Sequence, residues 1–153
     1  MIQKKIYIAS DHAGFELKHK LIDYLEKLGY IIQDVGAFKY DEKDDYPDFI
    51  SLAAHEVSKS PSDSIGIILG GSGQGEAMVA NRFPNVRAIV YYGGNEEIIF
   101  KSREHNDSNV LSLGARFITE DEAKGAVKLW LDTPSSKDER HVRRIEKIDD
   151  FQP

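Results

Sequence analysis

The run Ile65-Gly-Ile-Ile-Leu-Gly-Gly-Ser-Gly-Gln-Gly-Glu76 constrains this chain more than any other stretch, because a short apolar segment breaks into closely spaced glycines and ends on a carboxylate. An apolar run of this length bounded by glycines predicts a buried strand. Glu76-Ala-Met-Val-Ala-Asn81 has helix-forming composition, so the glycines mark a strand-to-helix turn. In a parallel sheet, ligands bind at such turns, outside the carboxyl ends of the strands. Glycines let successive backbone N–H groups converge on an anion, and the following helix N-terminus adds its partial positive charge. Glu76 then reads in two ways, as a helix-start carboxylate favoured by the macrodipole or as a general base beside an oxyanion site. The loop lacks the Lys-Ser/Thr ending of a P-loop and the acidic ribose-binding partner of a dinucleotide fingerprint.

Around this segment the pattern alternates between strand and helix. Lys5 to Ala9 predicts a first strand, and Ala13 to Leu28 a helix with Leu17, Leu21, Leu25 and Leu28 at helical spacing before Gly29. Tyr30 to Val35 is a second strand, followed by an acidic, aromatic loop from Tyr40 to Tyr46 that reads as solvated, with Tyr46 to Asp48 near the cleft. Pro47 opens a helix reaching about Lys59. Strands three, four and five are Ile65 to Leu69, Arg87 to Tyr92 and Val110 to Leu113, each followed by a helix. Thr119-Glu-Asp-Glu122 fits a capping box opening a helix that ends near Leu131. The expected fold is a three-layer α/β/α, Rossmann-like single domain over residues 1–153, with a mainly parallel sheet of about five strands and a helix or tail over 137–153.

Composition removes several function classes. A formal net charge of −6 argues against nucleic acid as the principal partner, since phosphate-backbone binding needs a basic face. With no cysteine, thiol catalysis, disulfides and thiolate metal sites are excluded. The first residues run straight into a strand pattern, and no stretch approaches the ~20 apolar residues of a membrane span. A soluble cytoplasmic protein without a membrane partner is expected.

Ser10-Asp-His-Ala-Gly14 follows the first strand directly, so Asp11 and His12 belong at the same sheet edge as the glycine loop. Asp11 also suits a helix N-cap. Arg116, directly after strand five, returns to that edge. His105 and Asn106, in Arg103-Glu-His-Asn-Asp-Ser-Asn109, lie in a polar loop before strand five, at the opposite edge; in a dimer this loop can reach another subunit's cleft. Arg140-His-Val-Arg-Arg144 concentrates basic residues in an acidic protein, either as a solvated helical face or as a phosphate site, because Arg140 and Arg144 share one face. His19 and His55 sit within predicted helices as structural or solvent-facing residues, and no metal site stands out.

Together, Ser10 to Lys18, Asp45 to Asp48, Gly70 to Glu76, Ala80-Asn81, Glu104 to Asn106, Leu113 to Arg116 and Arg140 to Arg144 resemble, in order, the type B ribose 5-phosphate isomerase family, which includes allose and galactose 6-phosphate isomerases. Many members carry a catalytic cysteine at the position of Gly70, whereas a second branch has Gly-Gly-Ser-Gly-x-Gly-Glu and uses the glutamate. The resemblance implies that Glu76 accepts and returns the proton, while the backbone of Gly71, Ser72, Gly73, Gln74 and Gly75, with the Ser72 hydroxyl, binds the carbonyl end of the sugar. It makes His105 the ring-opening residue, Asp11 a ring-oxygen or hydroxyl contact, and Asn106 a hydroxyl ligand. His12, Arg116, Arg140 and Arg144 correspond to phosphate or sugar ligands. It further implies a site shared across a homodimer, with the 137–153 segment at the dimer interface and a dimer of dimers as an extension, and neither cofactor nor metal. Other expectations are an isomerase of another sugar phosphate, such as an allose, galactose or tetrose phosphate, and a catalytically silent sugar-phosphate sensor.

Overall fold

In the computed structural model, which describes residues 3–151, the apolar run before the glycines is the central strand of a five-stranded, all-parallel sheet. The strands are β1 (Lys5–Ser10), β2 (Ile32–Asp34), β3 (Ser64–Gly70), β4 (Ala88–Tyr91) and β5 (Val110–Gly114), in the order β2-β1-β3-β5-β4. The helices are α1 (Phe15–Lys27), α2 (Tyr46–Lys59), α3 (Gln74–Ala80), α4 (Glu97–Asn106), α5 (Glu120–Asp132) and α6 (Glu139–Asp149). Every residue of β3 is buried, which is why its sequence is continuously apolar rather than alternating.

Period-two geometry divides β3 between two cores. Ile65, Ile67 and Leu69 pack with Leu21 and Leu25 of α1, Ile99 of α4, and Val127 and Trp130 of α5. Ile68 faces the other way, among Ile50, Ala53, Ala54 and Val57 of α2 and Ala80 of α3. Helices therefore cover both faces, as the alternation predicts.

Element boundaries differ from the sequence expectation where capping decides them. The first helix begins at Phe15 rather than Ala13, because Asp11 accepts hydrogen bonds from the N–H groups of Ala13 and Gly14 and tightens His12–Gly14 into a 3₁₀ turn. The capping box at Thr119 and Glu122 is present with both reciprocal bonds. The helix after β3 starts at Gln74, so Glu76 is its third residue rather than its first. Helix α4 continues to Asn106, so His105 lies in its last turn and not in a loop; Asp107, in the left-handed conformation at φ 44°, ends it. The expected C-terminal helix is α6, and residues 152–153 of the 137–153 segment lie outside the described residues.

Strand order reverses between β1 and β3, whose ends are paired in register, Ser10 opposite Leu69. The loops leaving these strands diverge there and open a crevice at the carboxyl edge of the sheet.

Candidate active site

That crevice is a cavity of about 450 Å³ lined by Asp11 and His12 after β1, Gly71, Ser72, Gly75 and Glu76 after β3, Arg116 after β5, and Tyr46 at the start of α2. Seven of these eight residues were expected at one edge from sequence order alone. Gly73, at φ 77°, makes the left-handed turn that sends the chain from the strand into α3. Its carbonyl accepts a 2.6 Å hydrogen bond from the buried Ser112 hydroxyl of β5, which holds the loop against the sheet. Ser72 Oγ accepts from the Gln74 N–H at 3.3 Å, whereas the Gln74 side chain is exposed and lines a separate, shallow depression with Met78 and Arg82.

Glu76 is 4% exposed. Burial pushes its carboxyl above the ordinary glutamate range; a hydrogen bond from its own backbone N–H opposes the rise, and the Asp11 carboxylate adds to it. Desolvation thus outweighs the opposing backbone hydrogen bond. A raised pKa brings a carboxylate closer to the value suited to a general base. The neighbouring glycine makes this burial sterically possible: a Cβ on Gly70 would lie 1.8 Å from Glu76 Oε1.

On the β1 side, Asp11 is buried and acts as the cap already described, with its Oδ2 3.9 Å from His12 Nδ1. His12 Nδ1 is 2.6 Å from Asp44 Oδ1, which also accepts the His12 backbone N–H at 3.0 Å. Asp44 corrects the expectation of a wholly solvated acidic loop, since its side chain is 8% exposed. No periodicity marks it in the sequence. Asp11, His12 and Asp44 bring their ligand atoms within 4.8 Å of one another, a grouping of metal-ligand type; the 2.6 Å separation is that of a hydrogen bond.

The remaining candidates lie elsewhere within the chain. His105 ends α4 near the start of β5, at the amino edge of the sheet, and is absent from the lining of the Glu76 cavity. Its ring stacks on His141 of α6 at 4.3 Å, and its Nε2 is 3.1 Å from Glu104. His141 is buried, and desolvation, then the neighbouring His105, hold its imidazole below the ordinary histidine range. Asn106 is exposed, with its carbonyl accepting from Arg87 Nε. Arg140 and Arg144 are both exposed on α6. Asn81 is structural, its amide bonding both the N–H and the carbonyl of Ala88. His19 is solvent-facing, bonded to the Phe15 carbonyl, and His55 packs against Phe83.

A family model described as Ribose/Galactose Isomerase matches residues 6–148. Ribose-5-phosphate isomerase B of Mycolicibacterium paratuberculosis is 43% identical over 148 residues, covering 97% of this chain and 91% of that protein. The Escherichia coli protein of the same name is 37% identical over 145 residues, covering 95% and 94%. Among solved structures, ribose-5-phosphate isomerase B of Mycoplasma genitalium with bound ribulose-5-phosphate superposes with a TM-score of 0.91 at 36% identity, covering 97% of this chain and 96% of that one. The Clostridium thermocellum enzyme gives 0.86 at 40% identity, covering 95% of each.

Proposed function

Because the chain belongs to the ribose/galactose isomerase family, we propose that it is an aldose-ketose isomerase interconverting ribose 5-phosphate and ribulose 5-phosphate, with Glu76 as the base. The observation that carries the base assignment is the buried carboxylate itself, raised in pKa beside the Gly71 to Gly75 loop and occupying the space a Gly70 side chain would need.

The reaction requires one proton to move between adjacent carbons. Glu76 takes the proton from carbon 2 as the carbonyl electrons pass onto the carbon 1 oxygen, giving an enediolate. The same carboxyl then returns a proton to carbon 1 while the carbon 2 hydroxyl becomes the new carbonyl and its proton passes to the carbon 1 oxygen. Backbone N–H groups of the glycine loop oppose the developing charge, and loss of one such donor typically costs ~3 kcal/mol of barrier. His12 and Arg116, on the same cavity, bind the sugar phosphate, whose remote binding energy orients the reacting carbons. Neither metal nor cofactor enters these steps.

His105, Asn106, Arg140 and Arg144 complete the site from a second copy of the chain. The reading of a homodimer rests on the absence of these four residues from the lining of the Glu76 cavity, together with exposed Phe117 in that lining and exposed Met78 and Leu52 on the adjoining helices. The partner's His105 opens the furanose ring, and its arginines hold the phosphate with planar forks. The enzyme acts in the cytoplasm, and no helix among the described residues is long and apolar enough to cross a membrane.

Direct assay of purified protein with ribose 5-phosphate and ribulose 5-phosphate tests this reading, with allose, galactose and tetrose phosphates in parallel. Turnover of another sugar phosphate at a higher kcat/KM overturns the substrate assignment. Tight binding without turnover overturns the enzyme reading in favour of a sensor.

A further inference from the structure

We propose that Asp44 is a positioning residue for His12: its carboxylate engages the Nδ1 proton of the imidazole and thereby commits Nε2 to the anionic end of the substrate. This rests on the reading of the Glu76 cavity as a sugar-phosphate site. An ionised carboxylate has no proton to give, so the 2.6 Å contact between Asp44 Oδ1 and His12 Nδ1 requires the ring to donate. The same oxygen accepts the His12 backbone N–H at 3.0 Å, so both the ring and the backbone that carries it are referenced to one atom. Among the described residues Nε2 has no hydrogen-bond partner, and His12 borders both the Glu76 cavity and an adjoining one of about 500 Å³. With Nδ1–H held by Asp44, Nε2 can donate to a phosphate oxygen only in the doubly protonated ring, whose positive charge the Asp44 carboxylate balances and whose Nε2–H is a charge-assisted donor.

The loop around Asp44 is built to hold it there. Asp41, Glu42 and Lys43 are exposed, yet the Asp44 side chain turns inward, and its Oδ2 is buried without a partner. A carboxylate in that condition is costly unless the structure pins it. What holds it are the two His12 contacts and a bond from its own backbone N–H to the Asp41 carbonyl at 3.0 Å, in a loop whose start is fixed by Lys18, fully buried on α1, which donates to both Asp34 oxygens at 2.8 and 3.0 Å and to the Ala37 carbonyl at 2.6 Å. Tyr40, further along, meets the His12 ring edge-on at 6.3 Å. Ring orientation is therefore set from the Asp44 side and from the Tyr40 side, leaving the cavity side open.

The test is imidazole nitrogen NMR of the full-length protein, recorded for wild type, Asp44→Asn and Asp44→Ala, with exposed Glu42→Gln as a loop control, followed by titration with inorganic phosphate. In wild type the neutral His12 ring should carry its proton on Nδ1, and phosphate should shift the His12 resonances. Asp44→Ala should move the neutral ring toward the Nε2–H tautomer and leave phosphate a neutral donor in place of the charge-assisted one, weakening inorganic phosphate by about tenfold and raising KM for ribose 5-phosphate similarly with kcat nearly unchanged. Asp44→Asn, whose amide oxygen still accepts but carries no charge, should fall between them, and Glu42→Gln should match wild type. Retention of the Nδ1–H tautomer in Asp44→Ala, or unchanged phosphate affinity in both variants, overturns the proposal. If Asp44→Ala does not fold, Asp44→Asn decides by the same readouts. Should wild type fail to turn over ribose 5-phosphate, the isomerase reading falls, while tautomer and phosphate titration still decide the role of Asp44.

Discussion

The Glu76 carboxylate fills the volume into which a side chain at position 70 would project, with Oε1 1.8 Å from where a Gly70 Cβ would stand. The two positions are therefore coupled: the Glu76 carboxylate can hold this place only where residue 70 has no side chain, and a side chain there would drive it elsewhere. The bare glycine at position 70 and the inward placement of the Glu76 carboxylate are one steric relationship.

Gly70→Ala should consequently displace the Glu76 side chain. Overpacking of this kind typically costs about 1–3 kcal/mol, and the expected result is a lowered melting temperature together with a loss of kcat/KM larger than the loss of stability explains. Gly70→Cys should lose activity in the same way, since its Cβ meets the same carboxylate. Near-normal kinetics in Gly70→Ala would contradict the steric coupling.

Glu76→Gln should lower kcat by about 10²–10⁴-fold, the range of a lost general base, while sugar-phosphate affinity stays within several-fold. Its stability carries a second signature. The folded-state pKa of Glu76 is raised, so between the unfolded and folded values the native protein binds more protons and wild-type stability falls as pH rises. The neutral glutamine escapes this loss. Thermal melts should match in acid, with Glu76→Gln the more stable at neutral pH. Wild-type kcat/KM should decline on the acid side from a pH above the ordinary glutamate range.

Replacing Arg140 or Arg144 with alanine should raise KM strongly for phosphorylated sugar with little change in melting temperature, because both side chains are exposed in the single chain. Lysine should restore little, lacking the planar fork. Unchanged KM in both alanine variants would return this helix face to solvent.

Glu76→Gln and His105→Ala homodimers should each be severely impaired, yet mixing them by co-expression should create one intact site per heterodimer. Activity should recover toward half the wild-type value per heterodimer. If heterodimers form and activity stays at the parental level, the two residues act within one subunit.

Chelators should leave the rate unchanged despite the Asp11, His12 and Asp44 grouping, because the His12 and Asp44 atoms are engaged with each other. Thiol reagents should also be without effect on a chain that has no cysteine. Inhibition by EDTA that zinc or magnesium reverses would contradict the metal-free steps.

Local patterns in the sequence determined what depends on neighbours along the chain. Apolar runs, the Thr119 box, the glycine turn and the order of strands place Asp11, His12, Glu76 and Arg116 at one edge, since every parallel strand delivers its following loop to the same side. Three features were decided only by the tertiary structure. The Asp44 side chain is buried against His12, whose ring and backbone N–H it meets across 32 positions of sequence, and no local pattern marks contacts that distant. The pKa of Glu76 depends on how much water the folded cavity excludes, and in the fold that desolvation exceeds the opposing backbone bond. His105 ends a helix, stacked on His141, because Asp107 can adopt a left-handed cap one residue beyond Asn106 while the distant α6 supplies the stacking ring; sequence order shows the amino edge it occupies, but only three-dimensional packing shows what it touches there.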